Sequence, residues 1–347
     1  MSSPVFAVYR LPHEDYATLV SQTGGEPVEL QSCADLNGQR GFVVAPFEVK
    51  SGQPIVVIRP DEVSRQEIQP STLHLQSSAL NLQPSTLHYA IDFANYHAQL
   101  TQGSFRKIVL ARCADEQTPV AIDPMQLFYH ACQLYPRMFI ALVSTPQSGI
   151  WLTATPEILL EGSGREWRTI ALAGTMKLVG DQLSGEGENV TWTTKNIEEQ
   201  RIVATYIAEC LEQFTGNFRE EGPRTVRAAD LVHLRSDFTF TLPTNGRAGD
   251  LLQSLHPTPA VCGLPKRDAF RFIVSNEHTP RRYYSGFMGP LDIQDSTNLY
   301  VSLRCMNIEG NRYHLYAGGG LLKDSTEEQE WQETEAKLET MRRLLTS

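Results

Sequence analysis

Lys107 lies in the run Phe105-Arg106-Lys107-Ile108-Val109-Leu110-Ala111-Arg112, and in an alternating strand it shares a face with Val109. A cation on the apolar side of a strand is most often an edge gatekeeper. The other reading is a lysine whose charge is suppressed by burial, able to accept a proton near neutral pH. Glu157 follows Thr155 and Pro156 and precedes Ile158, Leu159 and Leu160. On an exposed turn it is an ordinary carboxylate, whereas burial among those neighbours would raise its pKa and let it serve as a general acid. More carboxylates lie on two helical stretches. Glu199 stands near the start of one, and on the other Glu330, Glu333 and Lys337 fall along a single stripe. A solvated face is the default for such a stripe; carboxylates converging from different helices would instead form an all-oxygen site for Mg2+.

Three further features have plain and chemical readings. Gly318, Gly319 and Gly320 follow Tyr316 and Ala317, and a tight turn after a strand is the simplest expectation. The run fits neither a P-loop nor a dinucleotide loop, although backbone N–H groups freed by glycines can hold a carboxylate. His256 opens the rigid stretch His256-Pro257-Thr258-Pro259-Ala260, where a lone histidine is usually structural. Arg304 interrupts an apolar strand pattern at Leu303-Arg304-Cys305, and a buried arginine is costly unless it holds an anion. A substrate carboxylate would qualify.

These residues need elements to place them. Short apolar runs bounded by turn formers predict strands over 107–110, 138–143, 150–154, 167–173, 300–306 and 313–317. Helical spacing of apolar residues predicts helices over 90–100, 198–214 and 325–345, the last opening on a capping box of Ser325 and Glu328. Many strands with little regular β–α alternation imply a mixed α+β fold, a large antiparallel core with helices outside, in preference to a doubly wound parallel sheet. The first ninety residues are richer in turn formers, and Gln69–His74 recurs word for word at Gln83–His88. Two copies are too few for a solenoid, and a local duplication is the expectation.

Composition narrows the function. The 347 residues carry 40 acidic and 30 basic side chains, a net charge of −10, with 41% hydrophobic and 20% charged residues. That balance describes a globular protein and argues against nucleic-acid or anionic-membrane partners. No apolar run approaches the roughly 18 residues of a membrane helix, and residues 1–13 lack the features of a secretory signal, so a cytoplasmic location is expected. The six cysteines show no CxxC pair or zinc-ligand spacing and read as reduced core thiols.

Taken in order, the segments FRKIVLAR, TPEILL, ALAGT, KNIEEQRIV, HPTPAVCGLP, YYSGFMG, SLRC, YAGGGL and EWQETEAK closely resemble the chorismate-utilising enzymes. That family includes isochorismate, salicylate, anthranilate and aminodeoxychorismate synthases, and the resemblance covers residues 95 to 345. It implies two packed antiparallel sheets flanked by helices, with a catalytic region over 95–347 and a divergent portion, 1–94, packed on the same core. It implies that Lys107 is the base that activates water, Glu157 the acid that protonates the departing hydroxyl, and Glu199 and Glu333, supported by Glu330, the ligands of Mg2+. Arg304, Tyr284 and Gly318–Gly320 match positions that bind the enolpyruvyl carboxylate, and Gly174, Thr175, His256 and Lys337 match other pocket positions. Lys107 replaces the glutamine of ammonia-using relatives, Ala173 replaces a nucleophilic lysine, and Ala260 replaces a threonine common in salicylate synthases. Together they imply conversion of chorismate to isochorismate, with salicylate formation the runner-up and a catalytically silent chorismate-binding protein the alternative from another class. Asn196 departs from the acidic residue of many relatives. A monomer is expected, and a menaquinone pathway is favoured over siderophore or salicylate supply.

Overall fold

The computed structural model describes residues 4–71, 80–82, 86–178, 190–228, 230–242 and 247–346. Among them, a ten-stranded and a nine-stranded sheet, both antiparallel, pack face to face. Six helices cover their outer faces: α1 (Thr86–Thr101), α2 (Pro124–Leu134), α3 (Thr194–Leu211), α4 (Ala248–Leu255), α5 (Lys266–Asn276) and α6 (Glu327–Arg342).

The strand Phe139–Thr145 explains why the apolar runs are continuous. Phe139, Ala141 and Val143 enter the layer between the sheets, while Ile140 and Leu142 face the outer layer that includes residues of α2 and α6. Both faces are covered, so both must be apolar. Each such burial contributes roughly 1.5–3 kcal/mol. Gly41–Ala45 repeats the pattern, with Phe42 and Val44 between the sheets and Val43 and Ala45 toward α3 and α4.

Near one end of the ten-stranded sheet, Lys107–Gln117 pairs along its length with Arg312–Leu321. Residues 6–67 contribute to both sheets: Phe6–Arg10 pairs with Phe139–Thr145, and Gly41–Ala45 pairs with Phe287–Leu291. No helix among the described residues is long and apolar enough to cross a membrane. All six cysteines are free. The duplicated hexapeptide falls partly outside the described residues, which omit 72–79 and 83–85.

Three local expectations are corrected. The single strand expected over 300–306 is two strands in different sheets, Thr297–Val301 and Cys305–Glu309, because apolar residues on both sides of the crossing conceal it. Arg304 sits at that crossing with a φ of 42°, outside any strand. The glycine run is not a turn: Gly318, Gly319 and Gly320 lie within Arg312–Leu321, opposite Ala111, Leu110 and Val109. Side chains explain the glycines. A Cβ at 318 would come within 2.7 Å of the Tyr284 hydroxyl, at 319 within 2.8 Å of Glu330 Oε2, and at 320 within 2.8 Å of Lys107 Cε. Finally, α6 begins at Glu327 behind Thr326, with no side-chain cap. The Ser325 hydroxyl accepts from Leu322 N at 3.0 Å and donates to Glu330 Oε1 at 2.7 Å, so the buried carboxylate claims the group expected to cap the helix.

Candidate active site

Two crossings between the sheets carry the first pair of side chains. Glu157 follows Gly149–Thr155 at one crossing, its backbone N–H donating to Thr155 Oγ1 at 3.1 Å and its carbonyl accepting from Val301 N at 2.9 Å. Arg304 occupies the neighbouring crossing, its carbonyl accepting from Ala154 N at 3.0 Å. Glu157 is 3% exposed, and burial drives its carboxyl up to about 7 against the pull of Arg304, Lys107 and Lys337. Burial likewise lowers Arg304 to about 10, with Glu157 opposing. Its Nη2 donates to His233 Nε2 at 2.7 Å; its Nη1 is buried and, among the described residues, has no hydrogen-bond partner.

His233 is a site residue that sequence reading missed. It stands on Leu231–Thr241, and its Nδ1 lies 3.2 Å from Gly174 O and 3.3 Å from Thr175 Oγ1. Since Arg304 can only donate, Nε2 accepts and Nδ1 carries the hydrogen. Burial, with Arg304 and Lys337, keeps the imidazole well below its ordinary pKa and therefore neutral. Its one sequence signal is the signal of Lys107, a polar residue where an apolar strand should point inward.

The opposite wall is built by α3 on the strand Glu166–Lys177. Thr193 caps α3, its hydroxyl accepting from Asn196 N at 3.2 Å, and the Asn196 amide reaches Thr175 O at 3.5 Å. Asn196 thus ties the helix start to the strand. Gly174, with a φ of +70°, lies at a register shift between Ala173 and Thr175. That bulge aims two N–H groups at the helix: Ala173 N donates to Gln200 Oε1 at 2.9 Å and Gly174 N to Glu199 Oε2 at 3.2 Å. Glu199 Oε1 stands 2.9 Å from the Lys107 ammonium, which is 0% exposed. Burial pushes the Glu199 carboxyl up, but Lys107, Lys337 and Lys195 together hold it below the ordinary range. The edge-gatekeeper reading of Lys107 is thereby excluded: the side chain is fully buried and paired with a carboxylate.

From α6, Lys337 Nζ donates to Gly318 O at 2.8 Å and to Glu333 Oε1 at 2.7 Å. Glu330 is 0% exposed and pairs with Lys195, while its Oε2 has no partner. Burial first and Glu333 second raise its pKa. Among the described residues, Glu199, Glu330 and Glu333 do not bring three carboxylate oxygens within one coordination sphere; each faces a lysine. Yet the all-oxygen donor set, the orphaned Glu330 oxygen and the crowding of Glu330 by Glu333 fit a hard divalent cation.

Together these walls enclose about 610 Å3, counting the open mouth. Glu157, Gly174, Thr175, Glu199, Ala260, Tyr284, Arg304, Gly318, Gly320 and Lys337 line it, with Ala173 and His233. Lys107 lies behind Glu199, and Gly319 turns toward Glu330. His256 is elsewhere. It ends α4, packs edge-on against Phe287 at 5.0 Å and lines a separate cleft with Cys33 and Lys266. Burial, with the nearby Lys266 charge, lowers it to about 3.

Residues 58–346 match the family model described as chorismate binding enzyme. The chain belongs to the chorismate-binding enzyme family. It is 29% identical over 238 residues to isochorismate synthase EntC of Escherichia coli (strain K12), covering 68% of this chain and 61% of that protein. Isochorismate synthase MenF of the same strain is 32% identical over 250 residues, 71% of this chain and 57% of the relative. For isochorismate synthase DhbC of Bacillus subtilis (strain 168) the figures are 31% over 258 residues, 72% and 65%. The match therefore spans under two thirds of each relative's length. Among solved structures, a putative 2,3-dihydroxybenzoate-specific isochorismate synthase, DhbC, from Bacillus anthracis superposes with a TM-score of 0.84 at 23% identity, covering 98% of this chain and 96% of that one. MenF from Escherichia coli gives 0.83 at 24%, covering 99% and 89%. These likenesses show that this chain shares their two-sheet fold.

Proposed function

We propose that the chain is an isochorismate synthase that interconverts chorismate and isochorismate by 1,5-substitution. Water adds at C2, the double bonds shift, and the C4 hydroxyl leaves. In its neutral amine form Lys107 takes the proton from the attacking water, and Glu157, in its protonated form, gives its proton to the departing hydroxyl, so one water enters as another leaves. The observation that carries this reading is Glu157: a pocket carboxyl held near 7 is about half protonated at neutral pH, the condition a general acid needs. Lys107 is held against Glu199, which fixes its amino group behind the pocket wall. The unpartnered Arg304 Nη1, with Tyr284 and the glycine strand, supplies an anion seat for the enolpyruvyl carboxylate.

Glu199 and Glu333, with Glu330 beside them, are the residues that would hold Mg2+. When bound, the metal would neutralise the ring carboxylate of the substrate. The reading takes residues 1–94 as part of one catalytic body, supported by the strands that residues 6–67 lend to both sheets. It takes the protein as a cytoplasmic monomer. Its product feeds menaquinone, supported by the likeness of HPTPAVCGLP and YYSGFMG to that branch. Purified protein incubated with chorismate and Mg2+ should yield isochorismate, followed by chromatography. Accumulation of salicylate with pyruvate would move the assignment to salicylate synthase, against Ala260, and binding without conversion would reduce the chain to a silent chorismate-binding protein.

A further inference from the structure

The ladder that carries Lys107 and the glycines continues past the pocket, and its far end holds a second set of donors. Cys113 and Asp115 stand two apart on Lys107–Gln117 and so share a face. His314 lies directly opposite Asp115, and Tyr316 opposite Cys113. The ligand atoms of Cys113, Asp115 and His314 all lie within 4.8 Å of one another: His314 Nδ1 is 2.6 Å from Asp115 Oδ1, and Cys113 Sγ is 3.7 Å from the same oxygen. Cys113 and His314 are half-buried and Asp115 is exposed, so solvent ions reach the cluster.

We propose that Cys113, Asp115 and His314 form a binding site for a borderline-soft divalent cation of the Zn2+ class, separate from the pocket. One sulfur, one imidazole nitrogen and one carboxylate oxygen suit such an ion, with water completing a tetrahedron, and suit Mg2+ poorly. A fourth residue strengthens the assignment. On the next strand, Glu309 Oε2 lies 3.6 Å from His314 Nε2. The ring points Nδ1 at Asp115, whose carboxylate can only accept, so Nδ1 carries a hydrogen in the metal-free cluster, while Nε2 faces Glu309 and could carry that hydrogen once a metal takes Nδ1. Arg282 Nη1 in turn lies 3.3 Å from the other Glu309 oxygen. As the ion binds, the Cys113 thiol proton leaves to solvent and the His314 hydrogen moves by solvent exchange from Nδ1 to Nε2. The bound ion would clip together two neighbouring strands near one end of the ten-stranded sheet.

The test needs no enzymatic readout. Full-length protein in excess Mg2+, which occupies hard oxygen sites, is titrated with Co2+ while the near-ultraviolet thiolate-to-cobalt charge-transfer band is followed. The band should saturate at one equivalent, and Zn2+ should displace Co2+ and raise the thermal midpoint. Cys113→Ser should abolish the band. Glu309→Gln, which touches no ion, should weaken Co2+ binding about 10–100-fold, and His314→Ala and Asp115→Asn should each weaken it at least as much. Should Cys113→Ser fail to fold, the other three variants decide the matter. Co2+ uptake without a sulfur band, a band that survives Cys113→Ser, absence of uptake, or unchanged affinity in His314→Ala and Asp115→Asn would each overturn the site.

Discussion

At the crossing wall of the pocket, Glu157 is buried and, among the described residues, no cation stands within ion-pair distance of it; burial carries its carboxyl up to about 7. At the α3 wall, Glu199 is also buried, but Lys107 touches it and Lys337 and Lys195 add to the field, so it stays below the ordinary range. The same residue type at similar depth thus holds its proton far more tightly on one wall than on the other. The backbone makes the difference. A crossing between sheets places a carboxyl among apolar neighbours, while a helix laid over the bulged strand Glu166–Lys177 meets lysines from three elements.

The contrast is broken most severely at Glu157. Glu157→Gln keeps the shape but removes the transferable proton, and turnover of chorismate should fall about 10²–10⁴-fold. Wild-type rates of isochorismate formation would show that the neutral carboxyl is not the acid. Next comes pH. The folded value of Glu157 lies above its ordinary 4.5, so the folded protein binds that proton more tightly than the unfolded chain does. Stability from this group is therefore full below about 4.5, is lost as pH rises to about 7, and stays lost above it. The shift corresponds to about 3 kcal/mol. Denaturant titrations at about pH 4.5 and about pH 8 should show wild type losing that much relative to Glu157→Gln, and equal losses would erase the difference between the walls.

The charged wall has its own test. Gly320→Ala places a methyl against Glu199 and within 2.8 Å of Lys107 Cε. Displacing that pair should cost about 10²-fold in kcat/KM. Gly216, where an added Cβ would meet nothing within 4 Å, supplies the control, since Gly216→Ala should leave kcat/KM unchanged. The smallest effect is expected at the helix start. Thr193→Ala removes the hydroxyl that caps α3 and should lower stability by about 1 kcal/mol in thermal unfolding, with the pH dependence assigned to Glu157 intact.

Much of this is legible in residue patterns. Alternation and helical spacing locate most strands and the long helices, and a lysine on the apolar side of a strand marks Lys107. The misreadings share a physical cause. Arg304 reads as part of a strand because apolar residues flank it on both sides, and a crossing between sheets leaves no local signature. Gly318–Gly320 reads as a turn because glycine usually punctuates the chain; here the constraint is the space needed by Tyr284, Glu330 and Lys107, residues from three other elements. His233 escapes notice because its role depends on Arg304, which lies 71 positions away. Ser325 matches a capping box, yet Glu330 recruits its hydroxyl once both are buried.

The pairing of Gly41–Ala45 with Phe287–Leu291 bears on how the molecule comes to exist at all. Val44 must wait for Met288 to be synthesised before its partner is present, and Val8 must wait for Leu142. Sheets closed by such distant segments have high contact order and fold slowly. Until the late strands emerge, the apolar edge of the Gly41–Ala45 and Ile55–Ile58 hairpin stays open to wrong partners. Newly made chains of this protein should therefore depend on chaperones for longer than their finished stability suggests.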